Sequence, residues 1–162
     1  MSPQARILIV DDEEVVRLSY MRILAGRTCQ VKVAWTWMQV SQAMQQDPFD
    51  VVLLDLRMPE VDGMTILKAL KQRWPESEVI IITGYPSLES AKEALTLGAY
   101  DYLAKPVGPD QVIDASNAAW QHKRWALHSD AGVAQAIDGE PVGSEIPAAL
   151  PDPSDSTTRR SS

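Results

Sequence analysis

The chain is 162 residues long, 45% hydrophobic and 23% charged, the proportions of an ordinary soluble domain with enough length to bury a core. Acidic residues outnumber basic ones 22 to 15, a formal net charge of -7, which argues against a broad surface of the nucleic-acid-binding kind. No apolar run approaches the roughly 18 residues that span a bilayer, and Met1-Ser2-Pro3-Gln4-Ala5-Arg6 leads into a strand-like run instead of a signal peptide, so a cytoplasmic protein without membrane insertion is expected.

Arg6-Ile7-Leu8-Ile9-Val10 is a short apolar run that ends in Asp11-Asp12-Glu13-Glu14. Glu13 and Glu14 suit the first turn of a helix. Asp11 and Asp12 adjoin the strand end and repel each other unless something cationic lies between them. Val16, Tyr20, Ile23 and Leu24 recur at helical spacing and Gly26 offers a stop. Gln30 to Ala34 alternates as a second strand. Thr36-Trp37-Met38-Gln39 has the form of a capping box, opening a helix through about Gln46.

Val51-Val52-Leu53-Leu54 runs without a polar break into Asp55, the pattern of a strand buried on both faces with a carboxylate at its exit. Taken alone, Asp55 is either a cap for the following loop or a group placed for chemistry at the carboxyl end of a parallel strand. After Pro59, Val61-Asp62-Gly63-Met64 makes a turn, and Ile66, Leu67, Leu70 and Trp74 mark a third helix that stops before Pro75.

Glu78 to Ile82 repeats the buried strand and ends at Thr83-Gly84. Ser87 caps a fourth helix carrying Leu88, Ala91 and Leu95, closed by Gly98. Ala99 to Ala104 is a fifth, shorter strand that empties into Lys105-Pro106, and Pro109 begins a last helix using Val112, Ile113, Ser116 and Trp120 to about Leu127. Five strands alternating with five helices are βαβ units, so an α/β fold follows: a doubly wound parallel sheet with helices on both faces.

The strand exits deliver Asp11 and Asp12, Asp55, Thr83 and Lys105 to one edge of one sheet. Three clustered carboxylates call for a hard divalent cation such as Mg2+. Lys105 and the Thr83 hydroxyl add a positive charge and a donor for phosphoryl oxygens. That set is a phosphoryl-transfer site with Asp55 as the acceptor.

Five words carry a resemblance: Ile9 to Glu13 (IVDDE), Leu53 to Pro59 (LLDLRMP), Asp62 to Met64 (DGM), Ile81 to Gly84 (IITG) and Gly98 to Pro106 (GAYDYLAKP). In them the chain resembles the response-regulator receiver domains of two-component signalling over about residues 5 to 125. The resemblance implies a flavodoxin-like five-stranded sheet of order 2-1-3-4-5. It also implies a phosphoryl group passed to Asp55 from the phosphohistidine of a sensor histidine kinase or phosphotransfer protein. Asp12, Asp55 and the backbone carbonyl of Arg57 would bind Mg2+ directly, and Asp11 through water. Thr83 and Lys105 would hold the phosphoryl oxygens, Tyr102 would be the aromatic switch coupled to Thr83, and the Lys105-Pro106 peptide would be cis. The fourth helix, fifth strand and fifth helix would form the face that meets a downstream protein.

Trp35 and Trp37 add unusual aromatic surface after the second strand, read as packing on the sheet in preference to a partner surface. Arg57 and Tyr85 lie two residues beyond Asp55 and Thr83, at positions that the resemblance implies tune phosphoryl lifetime, and a bulky pair there would shield an acyl phosphate from water. Two other functions compete. A phosphatase that forms its own aspartyl phosphate would need a second Asp where Arg57 stands, and a degenerate receiver serving only as a binding module would lack site residues that are present here. Cys29 reads as a small thiol at a strand edge, in a reducing compartment, and His122 and His128 as solvated surface.

Residues 5 to 128 are expected to form the receiver domain. Residues 129 to 162, with Pro141, Pro147, Pro151 and Pro153 and six acidic against two basic residues, are expected to be a disordered tail. No output domain is recognisable and 34 acidic, proline-bearing residues do not make a helix-turn-helix. The expectation is a stand-alone regulator or phosphorelay intermediate without direct DNA binding, and a phosphoacceptor more than an enzyme.

Overall fold

The computed structural model describes residues 4–27 and 29–138. Ten elements alternate in it: β1 (Ala5–Val10), α1 (Glu14–Leu24), β2 (Cys29–Ala34), α2 (Trp37–Gln46), β3 (Val51–Leu54), α3 (Gly63–Arg73), β4 (Glu78–Thr83), α4 (Leu88–Thr96), β5 (Asp101–Ala104) and α5 (Pro109–Asp138). The strands pair in parallel in the order β2-β1-β3-β4-β5, as the reading of the sequence expects.

The near-continuous apolar strands are explained by a sheet covered on both faces, because side chains alternate sides along a strand. Leu8, Val10, Val52, Leu54, Val79 and Ile81 point to one core, shared with Val40 and Met44 of α2, Ile66, Leu67 and Leu70 of α3 and Ala94 of α4. Ile7, Ile9, Val51, Leu53, Ile80 and Ile82 point to the other, with Tyr20 and Leu24 of α1 and Val112, Ala115 and Ala119 of α5. Each such Val, Leu or Ile contributes about 1.5–3 kcal/mol, so the three central strands hold most of the fold and fix its register. A slip of one residue would exchange the two cores.

Caps stop and start the helices at the expected places. Thr36 Oγ1 accepts the Gln39 N–H at 3.2 Å, while the Gln39 side chain accepts the N–H of Trp35, one residue upstream of the cap. Ser87 Oγ accepts the Ser90 N–H at 3.0 Å. Gly26 (φ 79°) and Gly98 (φ 105°) take the left-handed conformation that ends α1 and α4.

The fold departs from the sequence reading in three places. β5 starts at Asp101 and not at Ala99, because the Ala99 N–H closes α4 on Ala94 O and the Tyr100 N–H goes to Val79 O. α4 buries Ala94 and leaves Leu88 and Leu95 exposed, so two of the three apolar residues that mark this helix in the sequence face outward. α5 passes the expected end near Leu127 and runs to Asp138, through a stretch with Ala131, Ala134 and Ala136 and no proline. The first compact unit closes at Arg124. From residue 139 on, the expected tail lies outside the described residues.

Candidate functional site

Backbone pairing continues past the strand ends and aims the exit residues. The Asp11 N–H donates to Ala34 O at 3.2 Å, the Asp55 N–H to Val10 O at 2.9 Å and the Lys105 N–H to Thr83 O at 2.8 Å. Each functional residue is thereby fixed to the neighbouring strand. The Lys105-Pro106 peptide is cis, as the resemblance implies.

At this edge Lys105 Nζ donates to Asp11 Oδ2 at 2.9 Å and lies 3.6 Å from Asp55 Oδ2. Asp11 Oδ1 accepts the Glu13 N–H at 2.9 Å, and Asp55 Oδ1 accepts the Arg57 N–H at 3.3 Å. Asp11 and Asp55 are buried and Asp12 is exposed, with one carboxylate oxygen from each lying within 4.8 Å of the others. Burial pushes the Asp55 carboxyl above the usual range and Asp11 adds to the rise, against the opposing pull of Lys105 and the Arg57 N–H. Burial pulls Lys105 down, but its hydrogen bond to Asp11 and the charges of Asp11 and Asp55 outweigh that and leave it raised. One ammonium among three carboxylates leaves negative charge unbalanced. An all-oxygen donor set of this kind fits a hard divalent cation such as Mg2+.

Thr83 is buried and its Oγ1 accepts the Tyr85 N–H at 3.1 Å, which leaves the hydroxyl hydrogen to donate elsewhere. The Arg57 guanidinium stacks 3.7 Å over the Tyr85 ring. Tyr102, paired in register with Ile81, sends its hydroxyl to the start of α4, where it accepts the Ser87 N–H at 3.2 Å and meets Ser90 Oγ. Asp12, Arg57, Met58 and Glu60 line an open depression of about 490 Å3 beside the carboxylates.

The contacts therefore bring together Asp11, Asp12, Asp55 and Lys105, with Arg57 joined through its backbone, while Thr83 and Tyr102 sit on the adjoining strands. Four residues were not singled out from sequence. Arg17 donates to Asp11 O at 2.8 Å and covers the Trp35 ring at 4.6 Å. Tyr20, read as an apolar helix position, is buried, and its phenol is pushed up to about 12 by burial, with Lys105 opposing and Asp11 and Asp55 adding. Ser90 engages Tyr102. Gly63 has no room for a side chain, since a Cβ would stand 2.4 Å from Leu56 Cα and 2.7 Å from Asp55 O. Only the Asp-Gly-Met word signalled Gly63; the others are products of tertiary packing.

Of the remaining expectations, Trp37 packs against the core and Trp35 is 45% exposed, so one of the two indoles packs as expected. His122 is half exposed, yet its Nδ1 lies 3.4 Å from Glu78 Oε2 and its ring stacks near Tyr100, so it is more than solvated surface. Cys29 is half-buried, directs its thiol to Leu24 O and is pushed up by burial, as suits an unreactive edge thiol.

Comparison with known proteins agrees with this geometry. A family model described as the response regulator receiver domain matches residues 7–117. A putative response regulator NtrX-like of Rickettsia bellii is 39% identical over 109 residues, covering 66% of this chain and 23% of that protein. The DNA-binding transcriptional regulator NtrC of Escherichia coli K12 is 36% identical over 116 residues, covering 72% of this chain and 25% of that protein. The chain thus spans about a quarter of the length of these curated relatives. The crystal structure of a CheY-like response regulator receiver domain protein from Methanospirillum hungatei superimposes with a TM-score of 0.73 at 28% identity, over 76% of this chain and 99% of that one. Among the described residues no helix is long and apolar enough to cross a membrane. A doubly wound sheet of this strand order, an acidic cluster facing a lysine at its carboxyl edge and a family match over most of the folded unit lead to one conclusion: the chain belongs to the response regulator receiver domain family.

Proposed function

We propose that Asp55 accepts a phosphoryl group from the phosphohistidine of a sensor histidine kinase or phosphotransfer protein in a Mg2+-dependent reaction, and that its arrival resets the α4-β5-α5 face for a downstream protein. The observation that carries this reading is the pairing of Lys105 with Asp11 at 2.9 Å and with Asp55 at 3.6 Å inside a cluster of three carboxylates. A structural cap would need neither the second and third carboxylates nor the half-buried lysine.

In the transfer, an Asp55 carboxylate oxygen forms the new P–O bond as the P–N bond of phosphohistidine breaks, the imidazole nitrogen keeping the bonding pair. The product is an acyl phosphate. Asp12, Asp55 and the backbone carbonyl of Arg57 would hold Mg2+, with Asp11 acting through water; when bound, the ion supplies charge neutralisation between the carboxylates and the incoming phosphoryl oxygens. Asp55 must be ionised to attack, and its raised pKa makes it a better nucleophile than a solvated carboxylate. Lys105 follows the new charge and pairs with a phosphoryl oxygen. Thr83 donates its hydroxyl hydrogen to another. Tyr102 is paired with Ile81, two residues before Thr83, and already reaches Ser87 and Ser90 at the start of α4, so a shift of Thr83 toward the phosphoryl group would open room on β5 into which Tyr102 turns, loosening its hold on α4.

Residues 5 to 128 constitute the working domain on this reading, in the cytoplasm where kinase and nucleotide meet. The test is transfer of label from purified, autophosphorylated histidine kinases to the full chain, followed by a pull-down comparing wild type with Asp55→Asn. Label reaching wild type and not the variant, with a partner retained by the phosphorylated form alone, is expected. Label that stays on every kinase offered, or reaches both proteins equally, rejects the reading.

A further inference from the structure

Arg17 stands near the start of α1, and helical side chains lean back toward the helix N-terminus. There its guanidinium donates to Asp11 O at 2.8 Å and lies 4.6 Å over the Trp35 ring. Among the described residues it makes no ion pair, although three carboxylates cluster at the neighbouring strand exits. Helix stability does not account for this placement, because a cation near a helix N-terminus opposes the macrodipole. Charge pairing does not account for it either, because the partner is a neutral carbonyl.

That carbonyl belongs to the turn that delivers two of the three carboxylates. Asp11 is held elsewhere by its N–H, which donates to Ala34 O at 3.2 Å, and by Oδ1, which accepts the Glu13 N–H at 2.9 Å. Glu13, the cap of α1, makes no side-chain capping hydrogen bond. Asp12 is exposed, so the backbone of this turn sets where its carboxylate stands. Trp35 follows Ala34 directly, and its N–H donates to Gln39 Oε1 at 2.8 Å. The half-exposed indole is thus a platform tied to the strand end that also holds Asp11, and Arg17 closes a bracket from Trp35 back to Asp11 O.

We propose that Arg17, braced on Trp35, is a positioning residue for Mg2+: it holds the Asp11-Asp12 turn where both carboxylates face Asp55. The proposal rests on the phosphoryl-transfer reading of this cluster and names the residues that keep it in shape. A guanidinium acting through its charge alone would repel the ion, so its removal would tighten Mg2+ binding. A brace has the opposite sign, and its removal weakens binding.

The experiment is a calorimetric Mg2+ titration of the full chain in wild type, Arg17→Ala, Trp35→Ala, Trp35→Phe and the Arg17→Ala, Trp35→Ala double variant. Arg17→Ala is expected to weaken binding about five- to tenfold, the scale of one charge-assisted hydrogen bond. Trp35→Ala weakens it about two- to fivefold, the scale of one exposed cation–π contact, and Trp35→Phe restores it to within about twofold of wild type. The double variant binds no more weakly than Arg17→Ala, because Trp35 acts through Arg17. Amide hydrogen exchange in chelator reads the same brace without the metal: Asp11 and Glu13 exchange faster in Arg17→Ala, while Leu53 and Ile80 in the central strands keep wild-type protection. Unchanged or tighter Mg2+ binding in Arg17→Ala, beside a wild type that binds the ion, overturns the positioning role alone. Exchange that rises equally in the central strands also overturns it. A wild type that takes up no Mg2+ overturns this proposal together with the reading it rests on.

Discussion

Lys105 and Asp11, 94 residues apart in sequence, are joined by a 2.9 Å hydrogen bond, while the same ammonium stands 3.6 Å from Asp55. The lysine is thus held nearer to Asp11 than to the carboxylate proposed as phosphoryl acceptor. It braces the site by neutralising Asp11, and it competes with any cation for the same oxygens. Lys105→Met is expected to tighten Mg2+ binding by about three- to tenfold, the effect of removing one positive charge a few ångströms away, and to cost about 1–3 kcal/mol of stability in the absence of divalent ions, because Asp11 loses its partner. Phosphorylation of Asp55 slows by tenfold or more, on the order of one missing electrostatic contact to the transferring group. Calorimetric Mg2+ titration beside a phosphorylation time course reads both; weaker Mg2+ binding in the variant contradicts this account of the lysine.

Asp55 gives a pH dependence whose sign follows from its raised pKa, caused first by burial and then by Asp11. Above the folded-state pKa the carboxylate is ionised in both states and the folded protein carries the cost of its charge. As pH falls through the folded value the native state takes up a proton before the unfolded chain does, so this group's cost is relieved, completely below the unfolded value of about 3.9. Asp55→Asn is therefore expected to melt a few degrees higher than wild type at neutral pH in chelator, a gain of about 1 kcal/mol, and the gap closes toward pH 4. Added Mg2+ reverses the order by stabilising wild type more. Thermal melts of both proteins across pH, with and without Mg2+, check each arm.

The Arg57 guanidinium over the Tyr85 ring at 3.7 Å bridges the loops that follow β3 and β4 beside the acceptor. The resemblance to receiver domains singles out these two positions, and the stacking gives the shielding idea a physical form. An exposed cation–π contact is worth about 0.5–1 kcal/mol. Either Arg57→Ala or Tyr85→Ala is expected to speed loss of the phosphoryl group by about two- to fivefold on that scale, with the double variant no faster than the faster single one. Decay of phosphorylated protein after donor removal is the measurement; unchanged rates dispose of the shield.

Sequence reading recovered the strands because each side of the sheet is buried, which writes long β-branched runs such as Val51 to Leu54. It puts Asp11, Asp12, Asp55, Thr83 and Lys105 at one edge because a parallel sheet sends every strand exit there, so position along the chain becomes position in space, and Asp11, Asp12, Asp55 and Lys105 do meet there. It missed what depends on helices packing across that edge. Tyr20 has the spacing of a core residue, and nothing local reveals that its hydroxyl lies within the field of Lys105 and Asp55. Leu88 and Leu95 have core spacing too, but α4 rests on its small residue Ala94, so the large ones face out. A hydrophobic pattern marks a face and cannot say which of two faces the sheet takes.

Gly63 is a structural counterpart to these candidate site residues. Its N–H donates to Leu56 O at 2.9 Å, and a Cβ would press on Leu56 Cα, Asp55 O and Leu56 O, all backbone atoms that cannot step aside. Gly63→Ala is expected to destabilise the fold by about 3 kcal/mol or more through overpacking, and to weaken Mg2+ binding because the loop carrying the Arg57 carbonyl must shift. Chemical denaturation and Mg2+ titration measure the two effects, and wild-type values in both would contradict the close approach.

The most direct measurement of the central claim is intact and peptide mass spectrometry of the full chain after incubation with acetyl phosphate, with Mg2+ and with chelator. The account predicts a single phosphoryl group on Asp55 that requires Mg2+ and is absent from Asp55→Asn. Modification at another residue, or a wild-type protein left unmodified in the presence of both reagents, contradicts it.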